Sequence, residues 1–358
     1  MRIFRLILCI ITLISVFSAC ASQRSDVSSI GEKESQGTAS SKIEETVSAE
    51  ESSALTSVES SEESSETELP PKEPKEDLLP LIADHGEDLV FYGDLTKVEY
   101  GEPLARLESI LDGYNKNAAL VVYSLEDYKA ISYNTEEMIF PASMIKAAYA
   151  LYCCKEMEKG NGSLDTQMVY EKKHYEIGTG DLQYSPIGST FDMATIIEKT
   201  MSISDNVGYL MMVDYFGREG YNQWITDLGA PSLQIKPTVW CLSANAKEWA
   251  IVWKEIYNYF KTDSEYARFL YDCCTGTAGN FATAGLEGVT YSHKQGHQRS
   301  GDWHSYSDAG IIWKDGGDYI FAILTDAPGP STYEADFFKE VMNVVDNELF
   351  CVAKSSQQ

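Results

Sequence analysis

Apolar residues crowd positions 117–125 (NAALVVYSL) and 128–133, with a Glu-Asp pair between them, a pattern that predicts two β-strands joined by a tight turn. Behind Pro141-Ala142-Ser143 the period changes. Ile145, Ala148, Tyr152 and Cys153 recur at helical spacing to about residue 158. Helical patterns then follow at 191–201, 207–216, 220–228, 244–261 and 264–271, punctuated by Gly and Pro. Strand patterns return at 289–294, 309–314 and 319–324, the last two joined across Gly316-Gly317 as a hairpin, and a final helix is expected over 333–347. Strands at both ends with helices between them predict an α+β fold, one antiparallel sheet carrying an inserted all-helical lobe. A cleft is expected where sheet and lobe meet, a preferred seat for ligands.

Upstream of about residue 79 no such pattern exists. Arg2 and Arg5 precede an apolar run over 6–17, too short to span a membrane comfortably, and Ser18-Ala19-Cys20 follows. Residues 1–20 are therefore read as a lipoprotein signal peptide with Cys20 as the lipidated residue, although Phe17 stands where leucine is commoner. An ordinary signal cut after Ala19, or an uncleaved anchor, is the alternative. Residues 21–78 are rich in Ser and Glu, as in Ser60-Ser61-Glu62-Glu63-Ser64-Ser65-Glu66, and bury too little apolar surface to offset chain entropy. They are expected to be a disordered tether, stiffened at Pro70-Pro71-Lys72-Glu73-Pro74, holding a folded domain of 79–353 outside a cell membrane through a lipid anchor.

Charge and cysteine usage narrow the partners. A net charge of −27 without a basic stripe excludes nucleic acid. Of eight cysteines, Cys9 and Cys20 belong to the export signal, and Cys153-Cys154, Cys241, Cys273-Cys274 and Cys351 lack zinc-ligand spacing. Most are read as buried small side chains, with one disulfide left open. No metal or cofactor is expected, and the chain is read as a monomer acting on a small molecule or peptide.

Three polar clusters carry the candidate chemistry. Ser143 and Lys146 stand at i and i+3 on one helix face, where a lysine of lowered pKa can take the serine proton. The same spacing also fits a capping serine beside a surface lysine. In Ser204-Asp205-Asn206, between two helices, a hydroxyl can relay a proton to a leaving amine and an amide can bind a substrate carbonyl; Ser204 or Asp205 also fits a helix N-cap. In Lys294-Gln295-Gly296, at the end of a strand, the lysine offers charge to a carboxylate and the glycine leaves the edge open to substrate, unless this is a surface lysine before a turn. The N–H groups of His297 and Ser143 would then form an oxyanion hole. His293, His297, Trp303, His304 and Tyr306 are expected at the rim, an aromatic hairpin face rather than a metal site.

Taken together, these clusters resemble the penicillin-recognising serine hydrolases, specifically the class A β-lactamase branch. The resemblance runs from about Arg106 to Val345 and extends to Gly178-Thr179-Gly180-Asp181-Leu182, Ala284-Gly285-Leu286-Glu287-Gly288-Val289 and Asp308-Ala309-Gly310-Ile311-Ile312. It implies a three-layer α/β/α fold of the β-lactamase/transpeptidase type, with a serine acyl-enzyme formed on β-lactams or peptidoglycan-type amides. Ser143 would be the nucleophile, Lys146 its base and Ser204 the relay. Asn206, Lys294, Gln295, Gly296 and His297 would contact substrate. Two departures stand out. Residues 228–245 hold no glutamate to activate a deacylating water, and Asp214, Glu219 and Glu248 read as solvated helix positions. Gln295 replaces the family's hydroxyl residue. Slow deacylation is therefore expected, and a catalytically silent cell-wall or partner-binding lipoprotein is the rival reading.

Overall fold

A computed structural model describes residues 77–93, 101–126, 129–299, 301, 303–314 and 317–350. The export signal with Cys20, the tether up to residue 76, Asp127, Gly316 and Cys351 lie outside the described residues. Among the described residues no helix is long and apolar enough to cross a membrane.

The expected sheet forms. Strands β1 (Val90–Gly93), β2 (Ala118–Ser124) and β3 (Lys129–Tyr133) come from the N-terminal side. Strands β6 (Thr290–Gln298), β7 (Ser305–Trp313) and β8 (Tyr319–Thr325) come from the C-terminal side, and the spatial order is β1-β3-β2-β8-β7-β6. The strand pairings in this sheet are antiparallel, and β2 joins β8 with Leu120 opposite Ile323, so the N-terminal and C-terminal strands meet at the centre. Side chains alternate between two apolar layers. Leu120, Phe321 and Ile323 face helices α1 (Gly101–Gly113) and α8 (Thr332–Val344), where Leu107 and Phe338 are buried. Val121, Ala309, Ile311 and Ala322 face the helical lobe.

Between the two groups of strands lie α2 (Ile145–Glu158), a two-stranded ribbon of β4 (Gln167–Val169) and β5 (Thr190–Asp192), then α3 (Met193–Ser202), α4 (Asn206–Phe216), α5 (Glu219–Asp227), α6 (Ala246–Phe260) and α7 (Glu265–Thr275). Helix α2 is buried almost all round. Its small residues Ala147, Ala148 and Ala150 admit close neighbours, while Tyr149 packs edge-on to Tyr209 of α4. The predicted helix over 143–158 thus forms, with one refinement. Its first turn, Ala142–Met144, is a tight 3₁₀ turn.

Two expectations about side chains are corrected. Glu248 is not solvated: it is 7% exposed on α6, its Oε1 accepts from the Ser232 N–H at 3.1 Å, and burial pushes its carboxyl up. His293 and Tyr306 do not reach a rim. His293 is fully buried against Asp308 at 2.9 Å, and Tyr306 is stacked on Phe281. The five described cysteines are buried free thiols, as expected for most.

Candidate active site

Ser143 owes its position to the residue before it. Ala142 sits at φ 48°, a left-handed conformation that a residue bearing a Cβ adopts only under constraint, and the chain then tightens into the 3₁₀ turn. The turn packs closely against β6, one of the two outer strands of the sheet. A Cβ on Gly296 would stand 1.9 Å from the Pro141 carbonyl oxygen and 3.1 Å from Met144 Cγ. The missing side chain thus admits the serine-bearing turn.

Lys146, one turn further along, is fully buried. Its Nζ lies 3.2 Å from Ser143 Oγ and 3.1 Å from Ser204 Oγ, and donates to Ser204 O at 2.6 Å and Asn206 Oδ1 at 2.8 Å. Burial first, and then the nearby Lys294 charge, hold this amine well below the usual lysine range, so its neutral form is accessible. A neutral amine has two hydrogens and one lone pair. The carbonyl of Ser204 and the amide oxygen of Asn206 can take both hydrogens, which leaves the lone pair facing the two hydroxyls.

The 204–206 turn is held from three sides. Ser204 has φ 59°, and Asp205 caps α4 by accepting from the Gly208 N–H at 2.9 Å. Its other oxygen accepts from the Leu182 N–H at 2.9 Å, tying the turn to the 178–182 segment. Thr179 Oγ1 donates to Ser204 O at 2.6 Å and lies 3.2 Å from Asn206 Oδ1, so it supports the same two oxygens that hold Lys146. Sequence reasoning gave Thr179 no role of its own, although the 178–182 segment was singled out.

The structure therefore brings Ser143, Lys146, Ser204 and Asn206 into hydrogen-bonding reach of one amine. Lys294 and Gln295 behave differently. Lys294 is fully buried, its Nζ donates to the carbonyl of Gln295 at 3.1 Å, and burial lowers its pKa to about 8. The Gln295 amide donates to the Ala278 carbonyl. Neither is among the described residues lining the cleft, and Lys294 acts on Lys146 through its charge.

A cleft of about 750 Å³ opens above Ser143. Thr179 and Asn206 form one wall, residues 238–243 a second, and His297 with Trp303 a third; the His297 ring is fixed by its Nε2–H donating to Gly329 O at 2.6 Å. His304 is not among the lining residues. The 238–243 wall belongs to the segment that carries no glutamate, and it presents Cys241, whose thiol donates to Ala142 O at 3.6 Å. Sequence reasoning took Cys241 as one of the buried small side chains, without placing it at the cleft. Burial pushes Cys241 up to about 12, so at neutral pH it is an uncharged thiol. Among the described residues, no three or more His, Cys, Asp or Glu side chains gather as metal ligands.

The sequence model of the "Beta-lactamase enzyme family" matches residues 103–348. No curated protein matches the chain. Among solved structures, PBP-A is similar at 20% identity and TM-score 0.63, covering 68% of this chain and 94% of that one. TLA-1 extended-spectrum β-lactamase is similar at 20% identity and TM-score 0.63, covering 71% of this chain and 100% of that one. A β-lactamase from Sphaerobacter thermophilus is similar at 15% identity and TM-score 0.60, covering 69% of this chain and 96% of that one. A PBP-A mutant is recorded as an acyl-enzyme complex with penicillin G. At such identities the likeness is one of fold, a mixed α and antiparallel-β architecture of the β-lactamase/transpeptidase type. With the family model spanning both the sheet and the helical lobe, the chain belongs to the β-lactamase enzyme family.

Proposed function

We propose that the protein is a lipid-anchored, extracytoplasmic serine hydrolase that forms an acyl-enzyme at Ser143 with β-lactam-like or peptidoglycan-type amides and esters. One observation carries this reading: the buried amine of Lys146 stands within 3.2 Å of both Ser143 Oγ and Ser204 Oγ while two carbonyl-type oxygens orient it. Lys146 takes the Ser143 proton as Oγ attacks the substrate carbonyl. Ser204 passes that proton to the departing amine or alkoxide. The oxyanion would rest on the N–H groups of Ser143 and His297, beside the edge of β6. Asn206 Nδ2 is left to meet a substrate oxygen, since its Oδ1 is engaged by Lys146. Lipidation at Cys20 and the tether of residues 21–78 would place this chemistry at the outer face of a membrane, as their composition argues.

The acyl-enzyme is expected to persist. Residues 238–243 contribute Thr, Val, Trp, Cys, Leu and Ser to the cleft, and none of these is a base at neutral pH. A fluorescent penicillin or aryl phenylacetate should label the native protein, with no label on Ser143→Ala. The adduct should survive for hours after excess probe is removed, read by gel fluorescence and intact mass. Decay within seconds would contradict the account of the 228–245 segment. Failure of every acylating probe to label would favour the silent binding lipoprotein instead.

A further inference from the structure

The lining of the cleft speaks to which molecules can reach Ser143, an inference that rests on the serine-hydrolase reading above. Among the described residues that line it, none is Lys or Arg, and the only carboxylate is Glu176. The two lysines nearest the nucleophile are sealed below its floor. Lys146 is engaged by Ser143, Ser204 and Asn206, and Lys294 by the carbonyl of Gln295. Gln295, which occupies the place of a hydroxyl in the resemblance, is tied back to Ala278. Arg299, one residue beyond the cleft end of β6, is turned to the Pro330 carbonyl at 3.3 Å. An anionic group arriving beside the scissile bond would therefore meet Glu176 and a chain of net charge −27, with no Lys or Arg among the described lining residues to receive it.

The lips of the same cleft are apolar. Ile177 is 74% exposed on the lobe side, Trp303 is 61% exposed on the sheet side, and Val239 is 39% exposed on the third side. Trp303 is held there by Phe140, ring centroids 5.8 Å apart. Three exposed apolar side chains from three separate segments, converging on one opening, are a surface that gains by being covered.

We propose that, among such acyl donors, this site favours uncharged ones: esters or amides that carry a bulky apolar acyl group and no free carboxylate beside the scissile bond. The apolar group lies between Ile177, Val239 and Trp303, bringing the carbonyl carbon to Ser143 Oγ. The Oγ–C bond forms, the C–O or C–N bond to the leaving group breaks, and the proton passes from Ser143 through Lys146 and Ser204 to the leaving group. Water then restores the serine and releases the apolar acid.

Two matched pairs test this on the full-length protein: benzylpenicillin against its methyl ester, and m-carboxyphenyl phenylacetate against its methyl ester. Each pair differs only in the carboxylate, and the readout is the second-order rate of adduct formation at Ser143 by intact mass. The methyl esters are expected to react about tenfold faster, a difference that corresponds to about 1.4 kcal/mol. Glu176→Gln should narrow that ratio by speeding the free acids. A free acid that acylates as fast as its ester, or faster, in a pair that reacts would overturn the proposal while leaving the serine-hydrolase reading intact. An absence of adduct with all four compounds would remove the serine-hydrolase reading itself.

Discussion

Replacing Lys146 by methionine is expected to slow adduct formation at Ser143 by about a thousandfold, the scale of a lost general base. The effect rests on one amine serving both hydroxyls, so no second side chain is placed to substitute. Its pH dependence has a definite sign. Burial and the Lys294 charge hold the Lys146 amine well below the ordinary lysine range, and a base acts only when deprotonated. Acylation of the native protein should therefore rise with pH through that lowered value and then level off. In Lys146→Met this limb should vanish. The fold should tolerate the change, because methionine is apolar and Thr179 Oγ1 still donates to the Ser204 carbonyl that the amine served. Stopped-flow labelling across pH, with circular dichroism as a control, decides the matter: native rates, or a surviving limb, would take Lys146 out of the mechanism.

Gly296→Ala is the second large effect. The added Cβ would meet the Pro141 carbonyl oxygen at 1.9 Å and its carbon at 3.0 Å, and neither atom is the movable end of a side chain. Either the edge of β6 or the turn carrying Ser143 must shift. Overpacking of this kind costs about 1–3 kcal/mol. A displacement near 1 Å at a reacting hydroxyl costs about a hundredfold in rate. Gly113→Ala is the matched control, since a Cβ there meets nothing within 4 Å. Denaturant midpoints and adduct rates should separate the two variants clearly. A Gly296→Ala protein with native stability and native labelling would mean that the close approach of strand and turn has no bearing on the site.

How much of this was legible beforehand depended on the range of the interaction. Ser143 and Lys146, three residues apart on one helix, were readable because helical geometry alone brings them together. So was the cap at Asp205, a local bond to Gly208. Strands β2 and β3 were found within a residue of their ends, β2 as an apolar run and β3 by its alternation. The edges of the sheet were less visible. Strand β6 runs on to Gln298 and β7 begins at Ser305, through polar residues that only cross-strand pairing makes extended. Helix α1, opened by Gly101 and Pro103 and burying only Leu107 and Leu111, escaped notice, as did β1 and the three-residue β4 and β5. Glu248 was misread because a buried carboxylate accepting a backbone N–H sixteen residues away leaves no local trace. The left-handed Ala142 likewise has no local signal, and it lies in a turn that packs closely on β6.

The two interior amines have a thermodynamic consequence apart from chemistry. Lys294 releases its proton at about 8 in the native state, against a reference of 10.5 for an unburied lysine. Below about 8 both states hold that proton, and the native state bears the full desolvation penalty. Between about 8 and 10.5 the denatured chain retains a proton that the native protein has shed, so the unfolding free energy climbs with alkalinity. Lys146, likewise held down by burial, contributes to the same climb. Interior tyrosines such as Tyr149 and Tyr209, kept protonated by burial, reverse the slope once denatured phenols ionise near 10. For these groups the domain is sturdiest in mildly basic surroundings, the condition under which its nucleophile is also best primed.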